Sequence, residues 1–352
     1  LRLQSILSGS GPERPGGRRE RNGETVRVSP SRDGRFIRPV SLQNARLGFM
    51  RFEEAFLKAD DGVALFVRRY QTDSRDADRS VLLVHGMSEH GQCYQHVAEA
   101  MVARGWNVVL PDLRGHGQSG GDHIHVNDFS EYVADLKRIF DESGLRSQNT
   151  VLVGHSMGGL ISARFVQQFP QNVSALALLS PLLGMRVRIS PFTIAMAKLV
   201  SLVRPRSRFR KRTRREDSTR NQEALIRGDA DPLIRNSVTA AWYFAMRHAL
   251  RTVWDLAEQV SCPTLVLQAG ADLIVDPTAP QGWVQRIGST DKTIRMFPDH
   301  YHELLNELDW SNTLADLLDW LEQRLIVPTG APLALPPARV QPATFGSAAS
   351  AS

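Results

Sequence analysis

Between positions 50 and 326, short apolar runs alternate with longer segments whose apolar residues recur every three to four positions. Strand-like runs at 52–59 and 63–70 flank Asp60-Asp61-Gly62, an Asp-Gly hairpin signal between alternating patterns. Further runs stand at 81–85, 107–111, 151–154, 175–179, 264–268 and 293–297, with helical patterns at 94–104, 128–142, 157–168, 278–287 and 308–325. The later runs are almost continuously apolar, as expected of strands covered by helices on both faces. Strands and helices of these lengths in alternation predict an α/β domain with a mostly parallel, doubly wound sheet and an antiparallel hairpin at its start.

The alternation breaks over about 184–255. This stretch is mostly helical in pattern and separates the sixth strand-like run from the seventh, so it reads as a helical cap inserted into the domain. Outside 50–326 the pattern disappears. Residues 1–49 are rich in Arg, Gly, Ser and Pro and are expected to be a disordered tail, with the natural chain beginning at Met50. Residues 327–352 are rich in Pro, Ala and Ser and read as a second flexible tail.

Composition adjusts this picture in three places. The net charge of +6 invites a nucleic-acid reading, but residues 1–49 hold ten Arg against three Glu and one Asp. The rest of the chain is neutral, so the charge belongs to the tail and no nucleic-acid partner is expected. No apolar run reaches the roughly 18–20 residues that cross a bilayer, and the first residues lack the apolar core of a secretory signal. Cys93 and Cys262 are far apart and in no metal-like spacing. They read as reduced, part-buried thiols of a cytosolic protein with no metal or cofactor.

The candidate chemistry centres on Gly154-His155-Ser156-Met157-Gly158, a G-x-S-x-G pentapeptide followed by Gly159. Small, common residues fill such a pentapeptide by chance, and its setting is more informative. A buried-strand pattern precedes it and a good helical pattern, ended by Pro170, follows, which puts Ser156 on a strand-to-helix turn. Such a turn strains the nucleophile's backbone and demands glycine two residues to either side. In an α/β-hydrolase fold the loop after the 81–85 strand supplies one oxyanion-binding amide and the residue after the nucleophile the other. These would be Met87 and Met157.

In that fold the acid and then the histidine follow the nucleophile along the chain. Asp272 lies just past the 264–268 strand, where open α/β sheets place their sites, and it is preferred over Asp276, which precedes Pro277 and a helix as an N-cap would. Past the 293–297 strand two histidines compete, His300 and His302, and periodicity does not separate them.

Taken together, His85-Gly86, Glu89-His90, the run Asp112-Leu113-Arg114-Gly115-His116-Gly117-Gln118-Ser119 and Gly154 to Gly159 resemble the monoacylglycerol lipases and related lysophospholipase-like α/β-hydrolases. Ala230-Asp231-Pro232-Leu233, Gly270-Ala271-Asp272, and His302-Glu303 with Asn306-Glu307 extend the resemblance over about residues 52–325. It implies Ser156 as nucleophile, Asp272 as acid, His302 as base, and Met87 and Met157 as the oxyanion hole, with Asp112 and His116 structural. The implied activity is hydrolysis of an acyl ester, a monoacylglycerol or lysophospholipid, through an acyl-serine intermediate. An acyltransferase, thioesterase or peroxide-using enzyme is the alternative on the same triad.

In monoacylglycerol lipases the cap admits the acyl chain, sometimes from a membrane surface. Here it carries eight basic residues and no acid over 204–215. Two readings of that run stand. It touches anionic lipid or a phosphate-bearing substrate, or it is a solvated loop, the commoner fate of like-charge runs.

Overall fold

The computed structural model describes residues 45–47, 50–73, 78–186, 190–210 and 213–325. Both terminal stretches, 1–44 and 326–352, lie outside the described residues.

The expected hairpin forms from β2 (Met50–Lys58) and β3 (Ala64–Thr72), paired antiparallel in a register that puts Phe56 opposite Phe66. A short β1 (Ala45–Leu47) pairs antiparallel with β2, inside the stretch expected to be disordered. Three residues are too few to show a period, and their pairing depends on the edge that β2 offers. β3 then pairs antiparallel with β5 (Asn107–Pro111). From there the sheet is parallel through β4 (Ser80–Val84), β6 (Thr150–His155), β7 (Ala175–Leu179), β10 (Thr264–Ala269) and β11 (Lys292–Phe297). The nine-stranded order is β1-β2-β3-β5-β4-β6-β7-β10-β11, the mostly parallel sheet that the apolar runs predict.

Alternation along the strands divides the core between the two faces. Val81, Leu83, Val151 and Val153 point to the side covered by α1 (Gln95–Ala103) and α8 (Trp310–Glu322), where Trp106 and Trp320 are buried. Leu82, Val84 and Leu152 point to the other side, covered by α2 (Ser130–Glu142), α3 (Met157–Gln168) and α7 (Ala279–Arg286). Because each central strand is buried on both faces, every residue of β6 and β7 is buried, which explains their largely apolar sequences.

The inserted stretch contains α4 (Pro191–Val203), α5 (Gln222–Ala230) and α6 (Ala240–Asp255). It also holds a two-stranded antiparallel ribbon of β8 (Arg208–Arg210) and β9 (Ser237–Thr239), which the helical pattern does not anticipate. Part of the basic run is therefore a strand. Arg206 pairs with Asp122 at 2.7 Å and Arg208 donates to the His123 carbonyl at 2.8 Å, so the run is also tied to the loop after β5. The helices of the insertion differ in burial. α6 places Trp242, Met246 and Val253 in the core against α3. α4 buries no residue, although Ser190 caps it and Pro191 starts it. Among the described residues no helix is long and apolar enough to cross a membrane.

Candidate active site

Ser156 occupies the turn between β6 and α3 with φ +53° and ψ −116°, a conformation that L-residues rarely adopt. The flanking glycines make that turn sterically possible. A Cβ at Gly158 would run into the carbonyl oxygens of Val84 and His85, and one at Gly154 would lie 2.5 Å from the Gly158 carbonyl oxygen. Hydrogen bonds hold the turn in place. The Ser156 amide donates to the Leu179 carbonyl at 3.0 Å, and its carbonyl accepts from Gly159 and Leu182 at 3.0 and 2.9 Å.

The loops after β10 and β11 bring the other two groups to this turn. His302 Nε2 lies 2.7 Å from Ser156 Oγ, and Nδ1 lies 2.6 Å from Asp272 Oδ2. The remaining Asp272 oxygen accepts from the Ile274 and Val275 amides at 2.8 and 2.9 Å. Burial acts to raise the Asp272 carboxyl, but the adjoining His302 imidazole, its hydrogen bond and the two amides outweigh it, leaving the group below the ordinary carboxylate range. An ionised Asp272 fixes the tautomer with the proton on Nδ1, so Nε2 is free to accept the serine proton. Ser156 itself is 8% exposed.

The two competitors are engaged elsewhere. Asp276 accepts from the Thr278 amide and hydroxyl at 2.9 and 2.7 Å, organising the turn ahead of α7. His300 pairs with Asp309 at 2.9 Å. Met157 is the first residue of α3, where backbone N–H groups have no acceptor within the helix. Met87 follows Gly86, whose position lies against Ser156: a Cβ there would sit 3.1 Å from that of the serine. Asp112 bridges Arg68 at 2.9 Å, the Gly91 amide at 2.8 Å and the Gln118 amide at 2.8 Å, which is a structural role. Cys93 and Cys262 are both free thiols. Among the described residues no group of three or more His, Cys, Asp or Glu could hold a metal ion.

Sequence reasoning assigned no role to several residues that tie the cap to these loops. Arg186 donates to the Asp272 carbonyl. The Glu303 amide donates to the Ser218 carbonyl at 2.8 Å, next to His302. The buried Glu307 carboxylate accepts from Arg220 Nε at 3.0 Å and from the Arg220 and Tyr301 amides at 3.1 and 3.2 Å. His90, on the loop after β4, lies 2.8 Å from Asp231. Three of the loops around Ser156 are thus each fastened to the 184–255 stretch. Asp231 and Glu307 stand in the motifs that carry the family resemblance, which was the available signal. Their partners lie 141 and 87 residues away in sequence, so spacing carries no hint of them.

The profile of the family described as serine aminopeptidase, S33, matches residues 75–309. The rat monoglyceride lipase is 30% identical over 284 residues, 76% of this chain and 89% of its own length. The chain belongs to this family of α/β-hydrolases. The hydrolase is also 29% identical over 236 residues to the phospholipase YtpA of Bacillus subtilis, covering 66% of this chain and 91% of that one. The crystal structure of the monoacylglycerol lipase of Paleococcus ferrophilus superposes with a TM-score of 0.68 at 26% identity, covering 74% of this chain and 99% of that one. These likenesses identify an ester-hydrolysing serine hydrolase.

Proposed function

We propose that this hydrolase cleaves acyl esters of medium or long chain, a monoacylglycerol or a lysophospholipid, with Ser156, His302 and Asp272 as its triad. One observation carries the reading: a continuous chain of hydrogen bonds runs from Ser156 through His302 to a buried, ionised Asp272. The relatives named as lipase and phospholipase supply the substrate class.

Ser156 Oγ attacks the ester carbonyl while its proton passes to His302 Nε2. The Met87 and Met157 amides hold the oxyanion, aided by the positive end of α3. The intermediate collapses with cleavage of the bond to the alcohol oxygen, which takes the proton from His302. Water then attacks the acyl-serine, again losing its proton to His302, and the fatty acid leaves as Ser156 regains a proton.

The cap suits a substrate that resides in a lipid surface. Phe192, Met196, Leu199 and Val203 recur at helical spacing along α4 and are all exposed, Phe192 by 76%. The basic run follows directly. An exposed apolar helix face beside clustered arginines is suited to the interface of an anionic membrane.

The test of the chemistry is turnover of p-nitrophenyl esters of increasing chain length by the wild type and by Ser156→Ala. The variant should lose activity by about a thousandfold or more, with an optimum at medium or long chains in the wild type. Retained activity in Ser156→Ala would overturn the mechanism. Sedimentation with vesicles tests the cap: binding should need anionic lipid and weaken with salt. Equal binding to neutral vesicles, or none to either, would refute the membrane reading.

A further inference from the structure

Beneath the nucleophile lies a second polar cluster that the hydrolytic steps do not use. His155, immediately before Ser156, is buried, with its ring centroid 4.8 Å from that of His302. Its Nε2 is 3.2 Å from the His302 carbonyl oxygen, and its Nδ1 is 2.8 Å from the Tyr94 hydroxyl and 3.3 Å from Glu89 Oε2. The same Glu89 oxygen accepts from the Tyr94 hydroxyl and from the Gly86 amide, each at 2.9 Å. Gly86 closes the cluster on the side of the oxyanion loop. A Cβ there would lie 3.0 Å from His155 Nδ1, 3.1 Å from Ser156 Cβ and 3.2 Å from Glu89 Oε2.

We propose that Glu89 and His155 form a buried ion pair that positions both His302 and the Gly86–Met87 turn against Ser156. The inference rests on the triad reading above and adds two positioning residues to it.

The hydrogen-bond contacts accommodate these charges. A carbonyl oxygen only accepts, so His155 Nε2 facing the His302 carbonyl must carry a proton. With Glu89 ionised, the one Tyr94 proton goes to its carboxylate oxygen at 2.9 Å. The tyrosine oxygen can then only accept from His155 Nδ1, so that nitrogen is protonated too. Both ring nitrogens are donors, and His155 is a cation beside an anion.

The other groups around the pair are consistent with this. Burial works against the charge on His155, but Glu89, then Glu303 and the His302 carbonyl outweigh it and raise the imidazole. Burial likewise works against the Glu89 carboxylate, and the His155 charge and hydrogen bond together with the Gly86 amide overcome it and lower the group. His85 itself is held down to about 4 by burial and is neutral. Buried Tyr94 has its hydroxyl pushed well up and stays protonated. Cys93 is raised by burial and adds no charge.

The pair therefore connects three parts of the site through charge-assisted hydrogen bonds. His155 holds the backbone of the base. Glu89 holds the amide next to Met87. The main chain of His155 continues directly into the nucleophile. Losing the pair should leave substrate binding intact while misplacing groups that must be aligned only during reaction.

The test uses the full chain labelled with 15N-histidine, at neutral pH, with His155→Gln to assign the resonances. Both His155 nitrogens should read as protonated in the wild type, and one should read as bare in Glu89→Gln. In p-nitrophenyl ester turnover, Glu89→Gln and His155→Gln should each lower kcat about 10- to 100-fold with KM within about threefold. Their double variant should lose little more than either alone, because they act as one unit. Tyr94→Phe leaves the ions in contact and should keep both nitrogens protonated. A bare His155 nitrogen in the wild type, or wild-type kcat in both single variants, would overturn the proposal. The wild-type spectrum decides even if a variant fails to fold. It also involves no turnover, so its failure is separate from a failure of the Ser156→Ala test.

Discussion

At the residue scale the site depends on two kinds of exactness, steric and protonic. Gly158 has no room for a side chain, since a Cβ would meet the Val84 and His85 carbonyls. Gly158→Ala should therefore cost about 3 kcal/mol or more, and also lower the fraction of protein that a fluorophosphonate can label. Thermal melting and active-site titration measure the two losses. Asp272→Asn keeps the shape but can present a donor to His302 Nδ1, favouring the wrong tautomer. The expected outcome is a fall in kcat of about a thousandfold or more with little change in melting temperature. As candidates, Ser156 and Asp272 were legible in the sequence because Ser156 directly follows β6 and Asp272 stands three residues past β10, where position alone carries meaning. His302 was not separable from His300 by spacing, since both lie on one loop. Geometry distinguishes them: one reaches Ser156 and the other Asp309. Glu89 and His155 are 66 residues apart, and only folding reveals that they meet.

At the element scale, legibility follows burial. β4, β6, β7 and β10 could be read from the sequence because the sheet hides both of their faces. The β8–β9 ribbon could not. Arg208-Phe209-Arg210 is exposed throughout and has no apolar face to betray a strand, so its conformation comes from pairing with β9. β1 is hidden for a related reason, being a three-residue edge. α4 shows the opposite case, a strongly apolar helix none of whose residues is buried. Replacing Phe192 and Leu199 by Ser should leave turnover of short, soluble esters unchanged, while reducing both vesicle binding and turnover of emulsified long-chain esters. Equal losses on soluble and emulsified substrates would place α4 in the folding or catalysis of the domain instead.

At the scale of the whole molecule, buried histidines tie stability to pH in opposite directions. Burial lowers His85 to about 4 and His116 to about 3. In the unfolded chain both take up protons near pH 6.5, whereas the folded chain does not until the pH is far lower. The unfolded state thus binds more protons across that window, and stability falls as the pH drops from about 6.5 toward 4, by a few kcal/mol in order of magnitude. His155 is raised, so its contribution is complete below about pH 6.5 and is lost as the pH rises through its folded value. Melting temperatures measured from pH 4 to 9 should trace a dome with a steep acid side. A flat profile between pH 7 and 5 would contradict the burial of neutral His85 and His116.

The most direct test of the central claim is covalent. The hydrolase should be titrated with a long-chain alkyl fluorophosphonate and the modified peptide identified by mass spectrometry. The expected result is one label per chain, located on Ser156, with activity lost in proportion to labelling and no labelling of Ser156→Ala. Inactivation with the label on another residue, or full activity in protein labelled at Ser156, would contradict it.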